Sequence, residues 1–213
     1  FLADFREKQQ EAMLLKVMSA RLSAELASVQ WSADISDDNW QQQVKFIAQS
    51  LDVSKEEQES YPEIYQSAVA SFNANISNLS KQVQVMDRQI EQKEQEINSI
   101  KSRLNHVDIS YKLGLDELNL TKPLAKRGVI SPVEFLKLRR QVNQLKQDME
   151  EARLALPRSN SALNESIGKR QELISQYQKE TQETLAKVQA QLAQLVEQQV
   201  NLKDKVARTS VLS

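Results

Sequence analysis

The chain has 213 residues with only three glycines, four prolines and 5% aromatic residues, far fewer than ordinary globular turns and cores require, while charged residues make up 27%. A formal net charge of -1 offers no electrostatic reason to expect nucleic acid or an anionic membrane surface. The absence of cysteine excludes disulfides, thiolate metal sites and a cysteine nucleophile, and no apolar run approaches the roughly 18 residues that span a bilayer. A chain that opens on Phe1 and stops at Ser213 within a helical pattern is expected to be a fragment.

Residues 1–28 read as a helix with Leu15, Met18, Leu22 and Leu26 on one face and Arg6, Glu7, Lys8 and Glu11 on solvated turns. Val29–Asn39 breaks the pattern with Ser, Asp and Asn. Asp38 with Gln41 then suggests a capping box opening a short helix, Trp40–Leu51, with Trp40, Val44 and Ile47 as its apolar face. Ser54–Glu59 reads as a short polar turn. Such short pieces need support and are expected to pack at the base of a larger helical structure. Trp31 and Trp40 read as core or groove filling, because no basic face accompanies them as an interfacial membrane helix would require.

Ser60-Tyr-Pro-Glu63 is a capping box with proline just inside, and a long helix is expected from there. Val69, Phe72, Ile76, Leu79, Val83, Met86, Ile90, Lys93, Ile97, Ile100, Leu104, Val107 and Tyr111 alternate spacings of three and four, a heptad seam with one polar interruption. An arm of this size reaches on the order of 90–100 Å.

Within Leu118–Leu136 a helix stop and a helix start stand back to back. Gly128 can take the left-handed conformation that ends a helix, with Lys126 and Arg127 in the last turn and Val129 as the apolar residue such a cap packs down. Ser131, Pro132 and Glu134 read as N-cap, first helical residue and capping-box acid. The two helices must therefore run antiparallel, as a hairpin whose tip lies near residues 120–135.

The returning arm continues the seam through Phe135, Leu138, Val142, Leu145, Met149, Ala152 and Leu156. It weakens where Pro157 removes a helix amide and where Ser159, Ser166 and Arg170 take seam positions beside Gly168. Folding about the turn puts Lys93 opposite the Ser166 region. The expected state of Lys93 is solvated or snorkelling, with Glu96 or Glu165 in reach. The seam is expected to resume at Leu173, Tyr177, Leu185, Val188, Leu192, Leu195, Leu202 and Val206, with a stutter between Tyr177 and Leu185. Arg208-Thr-Ser-Val-Leu-Ser213 reads as the start of a strand.

The resulting expectation is an all-α fold, a long antiparallel coiled-coil hairpin with an additional N-terminal helix and short helices at its base. Residues 1–53 form the base elements, 54–207 the hairpin, and 208–213 the return strand into a further domain. Catalysis has little to build on. His106 is the only histidine and is expected on the surface, the paired acids Asp116/Glu117 and Glu150/Glu151 stand in mixed-charge solvated faces, and no glycine-rich phosphate loop occurs. No enzyme activity, cofactor or metal is expected.

Lys122-Pro-Leu-Ala-Lys-Arg-Gly-Val-Ile-Ser-Pro-Val-Glu-Phe-Leu-Lys-Leu-Arg-Arg140, with the arm Val142–Leu156 and the closing Arg208-Thr-Ser-Val-Leu-Ser, resembles the helical hairpin of HlyD-family periplasmic adaptors, the membrane fusion proteins of type I secretion. The resemblance covers essentially the whole chain, and the tip and the two ends are its specific parts. It implies a periplasmic protein anchored in the inner membrane beyond these residues, carrying lipoyl-like and β-barrel domains. It further implies a ring, commonly of six, around an ABC transporter, whose hairpin tips meet a TolC-like outer-membrane channel. In such adaptors an Arg, Leu, Ser pattern marks the tip; Leu124 and Ser131 match it by spacing, whereas Leu120 stands at the arginine position. The tip residues expected to meet the partner are Leu124, Lys126, Arg127, Gly128, Val129, Ile130 and Ser131. Alternative readings are a drug-efflux adaptor, or a coiled-coil scaffold or membrane-curving protein. The last of these would gather lysine and arginine on one face, whereas here the charges alternate.

Overall fold

The computed structural model describes residues 2–32 and 36–211. In chain order it contains α1 (Leu2–Ser28), β1 (Val29–Trp31), a 3-10 turn (Asp37–Gln42), β2 (Val44–Phe46), α2 (Lys55–Ser60), α3 (Pro62–Lys126) and α4 (Pro132–Val211). Two compact units divide it: residues 1–85 with 169–213, and residues 86–168. The long helices α3 and α4 contribute to both.

In the first unit the seam expected on α3 is the seam observed. Phe72, Leu79 and Val83 are buried, and Val69 and Ile76 pack beside them. One cluster joins Met13, Val17 and Ala24 of α1 to Leu51, Val53 and Phe72; another joins Val29 and Val44 of the strands to Leu79, Val83 and Ile174 of the long helices. On α1 the buried apolar positions are Met13, Val17, Leu22 and Ala24, with Glu25 and Ser28 buried beside them, while Leu15, Met18 and Leu26 are half-buried. The displacement has a cause in the neighbours: α1 touches both long helices, so its burial is not confined to one stripe. Asn75 on α3 and Tyr177 on α4 both donate to the Glu25 carboxylate, at 3.0 Å each, and Arg21 reaches the same group at 2.7 Å. Nearer the start of α1, Lys8 donates to Gln198 and accepts at its carbonyl from Gln199, at 2.9 and 2.8 Å.

The connection from α1 to α3 departs from expectation. No helix runs from Trp40 to Leu51; the chain forms the 3-10 turn and then β2, which pairs antiparallel with β1 in the register Val29–Phe46, Gln30–Lys45, Trp31–Val44. Val44 and Phe46 point one way and Lys45 the other, a period of two that a helical reading of Trp40, Val44 and Ile47 overlooks. Trp40 is buried and Trp31 half-buried, so both tryptophans fill the interior as expected. Ser54–Glu59 is likewise more than a turn. Ser54 and Glu57 form a reciprocal capping box that starts α2, and Lys16 beside Glu57 holds that carboxyl below the usual carboxylate range. Ser60 is the last residue of α2, and Tyr61, at φ -133 and ψ 59, makes the break before Pro62 opens α3.

The seam of α4 in this unit runs through Arg170, Ile174, Thr181, Val188 and Leu195. Ile174 is fully buried and its neighbour Leu173 only partly; Thr181 fills the interval between Tyr177 and Leu185. The backbone stays helical from Arg208 to Val211 rather than turning into a strand, because neither glycine nor proline follows Gly168 and β-branched residues only weakly oppose a helix already under way. Leu212 and Ser213 lie outside the described residues.

In the second unit Ile90 and Ile97 on α3 and Val142, Met149, Ala152, Ser159 and Ile167 on α4 are buried, with Ile100, Leu104, Val107, Tyr111, Phe135, Leu138 and Leu145 half-buried between them. A Cβ at Gly114 would stand 3.1 Å from Val142 and 3.4 Å from Leu145. Gly114 and Val142 are equidistant along the chain from Gly128, so the register is the one that folding about the turn dictates. Lys93 pairs with Glu96 on its own helix at 3.1 Å with its side chain 40% exposed, a solvated lysine rather than a buried polar layer. Pro157 is exposed and α4 passes through it unbroken. His106 is on the surface.

Candidate partner-docking site at the helical turn

Pro123 is the first constraint on the turn. Having no amide proton, it withdraws one helical hydrogen bond in the last turn of α3 and brings the end of the helix closer. The stop itself is a two-bond cap: Val129 N–H donates to the Leu124 carbonyl at 3.0 Å and Gly128 N–H to the Ala125 carbonyl at 3.1 Å. This is the Schellman pattern, and it needs a residue in the left-handed region at its centre. Gly128, at φ +74, supplies it, and among the described residues it alone has positive φ. On the other side Ser131 caps α4. Its hydroxyl accepts from Val133 N–H at 3.3 Å, its carbonyl from Phe135 N–H at 3.1 Å, and Pro132 and Glu134 occupy the first turn.

Backbone hydrogen bonding therefore fixes the turn, and it leaves Leu124 and Val129 facing outward. Val129 is 70% exposed, so it does not pack down on the cap as expected; the two backbone bonds complete the motif and free the side chain. Leu124 is 38% exposed, Lys126, Arg127, Gly128 and Ser131 are exposed, and Ile130 is half-buried. All seven expected residues thus lie together on one short turn.

Several neighbours were not among the residues expected to meet a partner. Leu120, Val133 and Leu136 are exposed as fully as the tip residues, and a hollow of about 410 Å³ opens between Lys122, Ala125, Lys126, Pro132, Phe135 and Leu136. Its floor is aromatic and aliphatic and its rim carries two ammonium groups. The signal that would have found them is the presence of large apolar residues off the heptad seam on either side of a turn. Chemically, the turn can take up an apolar side chain and meet carboxylates or helix-terminal carbonyls with its cations. Among the described residues no cluster of three or more histidine, aspartate or glutamate side chains could hold a metal ion, and no helix is long and apolar enough to cross a membrane.

Residues 1–205 match a family model described as AprE, long alpha-helical hairpin. Among solved structures, the chain resembles the soluble domain of LipC, a membrane fusion protein of a type I secretion system, with a TM-score of 0.76 over 98% of this chain and 91% of that one. At 16% identity this is a likeness of fold. No curated protein matches the chain.

Proposed function

The chain belongs to the AprE long alpha-helical hairpin family, and from that premise we propose that it is the hairpin part of a periplasmic adaptor, the membrane fusion subunit of a type I secretion system. Its role is structural rather than catalytic. The adaptor is anchored in the inner membrane and assembles as a ring on an ABC transporter. Its turn, Leu124–Ser131, docks on a TolC-like outer-membrane channel.

One observation carries this reading: a turn fixed by its own backbone that holds Leu124 and Val129 in solvent beside Lys126 and Arg127. A plain rod has no use for such a surface, because exposed leucine and valine at a tip gain nothing until a partner covers them. The fold shared with the soluble domain of LipC, and the resemblance of Lys122–Arg140 to adaptor tips, support the same assignment.

Burying a leucine contributes roughly 1.5–3 kcal/mol, whereas placing an unpaired carboxylate there is strongly unfavourable. Leu124→Asp is therefore expected to keep helicity and membrane assembly and to abolish export. Normal secretion by that variant would sink the docking role.

A further inference from the structure

Glu25 is a charged side chain of α1 that the fold takes almost wholly out of water, 2% exposed. Three helices converge on its carboxylate. One oxygen accepts from Arg21 on α1 and Asn75 on α3, the other from Tyr177 on α4. Leu14, Met18 and Arg21 line a hollow of about 370 Å³ with Ile64, Ala68 and Ser71, so α1 and α3 run parallel here. Facing residues stand 50 apart along the chain, the separation that Glu25 and Asn75 repeat.

The apolar residues of α1 do not fix that offset by themselves. Met13, Val17, Ala20 and Ala24 recur at steps of four and three. A slide of one turn, about 5.4 Å, therefore sets apolar residues where apolar residues stood. The bonds of Lys8 to Gln198 and Gln199 use long side chains, and Gln194 stands one turn from Gln198, so they discriminate weakly. Glu25 discriminates strongly. Slid one turn towards the end of α3, its carboxylate comes level with the buried Leu79 and the half-buried Leu173. Slid the other way, it exchanges an amide and a phenol for the hydroxyls of Ser71 and Thr181, and Thr181 already bonds Tyr177. A buried carboxylate stripped of its donors is strongly unfavourable.

We propose that Glu25, Asn75 and Tyr177 form a register lock, a polar node that holds α1 at one height against both long helices where apolar packing alone permits neighbouring heights. A single buried polar position sets register in coiled coils in the same way. The lock makes α1, α3 and α4 one mechanical piece at this level, whatever the turn docks on.

Gln10 and Gln82 are exposed and residues 1–213 contain no cysteine, so nitroxides on Gln10→Cys and Gln82→Cys report the height of α1 by pulsed dipolar spin resonance. The expected result is one narrow distance in the parent and in Glu25→Gln, whose side chain can still pair with Asn75 and Tyr177. The node is then made apolar with Arg21→Leu, Glu25→Leu, Asn75→Leu and Tyr177→Phe together, and folding is checked by circular dichroism. A second distance, displaced by about 5 Å, is expected in that variant. One narrow distance in the folded variant would overturn the proposal and leave β1, whose Val29 carbonyl accepts from Gln178, as what sets the height. Should the apolar variant not fold, Ser71→Asn with Asn75→Ser and Tyr177→Phe moves the α3 donor one turn towards the start of that helix. The distance should then lengthen by about 5 Å in part of the population, and a single unmoved distance would overturn the proposal equally.

Discussion

Arg170 meets Trp40 twice: its guanidinium donates to the Trp40 carbonyl at 2.9 Å and stands 5.2 Å from the centre of the indole ring. Both residues are almost wholly buried, 2% and 3% exposed. The arginine therefore fastens the 3-10 turn to α4, and it occupies a seam position for that reason.

Truncating it removes a charge-assisted bond, a cation–π contact and the packing of the stem, and leaves a buried carbonyl. Arg170→Ala is expected to cost about 2–4 kcal/mol, with Arg170→Lys recovering only part, since an ammonium cannot reproduce a planar guanidinium over a ring. Urea denaturation followed by circular dichroism measures both, and equal stability of Lys and Arg at this position would count against the stacking.

Tyr177 supplies a pH test. Burial, and then the charge and hydrogen bond of Glu25, push its phenol well above the ordinary value of 10.0. Unfolded tyrosine ionises from about pH 10 while the folded phenol keeps its proton, so the unfolded state binds fewer protons and stability falls as pH rises above that value. The contribution is complete below pH 10. Tyr177→Phe is expected to reduce this alkaline loss and, at neutral pH, to lower stability by about 1 kcal/mol through the missing bond to Glu25. Thermal unfolding of the two proteins between pH 8 and pH 11 gives the comparison, and parallel curves would contradict it.

Two glycines should respond to alanine with opposite signs. At Gly128 the left-handed backbone makes a side chain cost roughly 1–2 kcal/mol. At Gly168, within α4, nothing lies within 4 Å of an added Cβ, so alanine should stabilise by roughly 0.5–1 kcal/mol. Midpoints of thermal unfolding moving in the same direction would refute the assignment of their roles.

Where the sequence was legible, one period governed a long stretch. From Val69 to Tyr111 every residue placed on the seam is buried or half-buried, because only a periodic apolar face lets two helices of this length close on each other. The turn was legible because Gly128, Ser131 and Pro132 each permit little else. Three-residue strands carry too few alternations to compete with a helical reading, so β1 and β2 were missed. Ser54 and Glu57 did announce α2, but in a segment too polar to look like a packed helix. Arg170 reads from sequence as a fault in the seam because its partner, Trp40, is remote along the chain. A hydrophobic contact usually accompanies such caps, which is why sequence points to a packed Val129; the two backbone bonds complete the cap without it and leave the side chain outside.

The docking claim is tested most directly at that residue. Val129→Cys, in a protein without other cysteines in these residues, carries a short cross-linker in the native host during active secretion. The expected result is capture of an outer-membrane channel, lost when Leu124→Asp is added. Cross-links confined to cytosolic proteins, with secretion indifferent to changes at the turn, would contradict it and favour a scaffold.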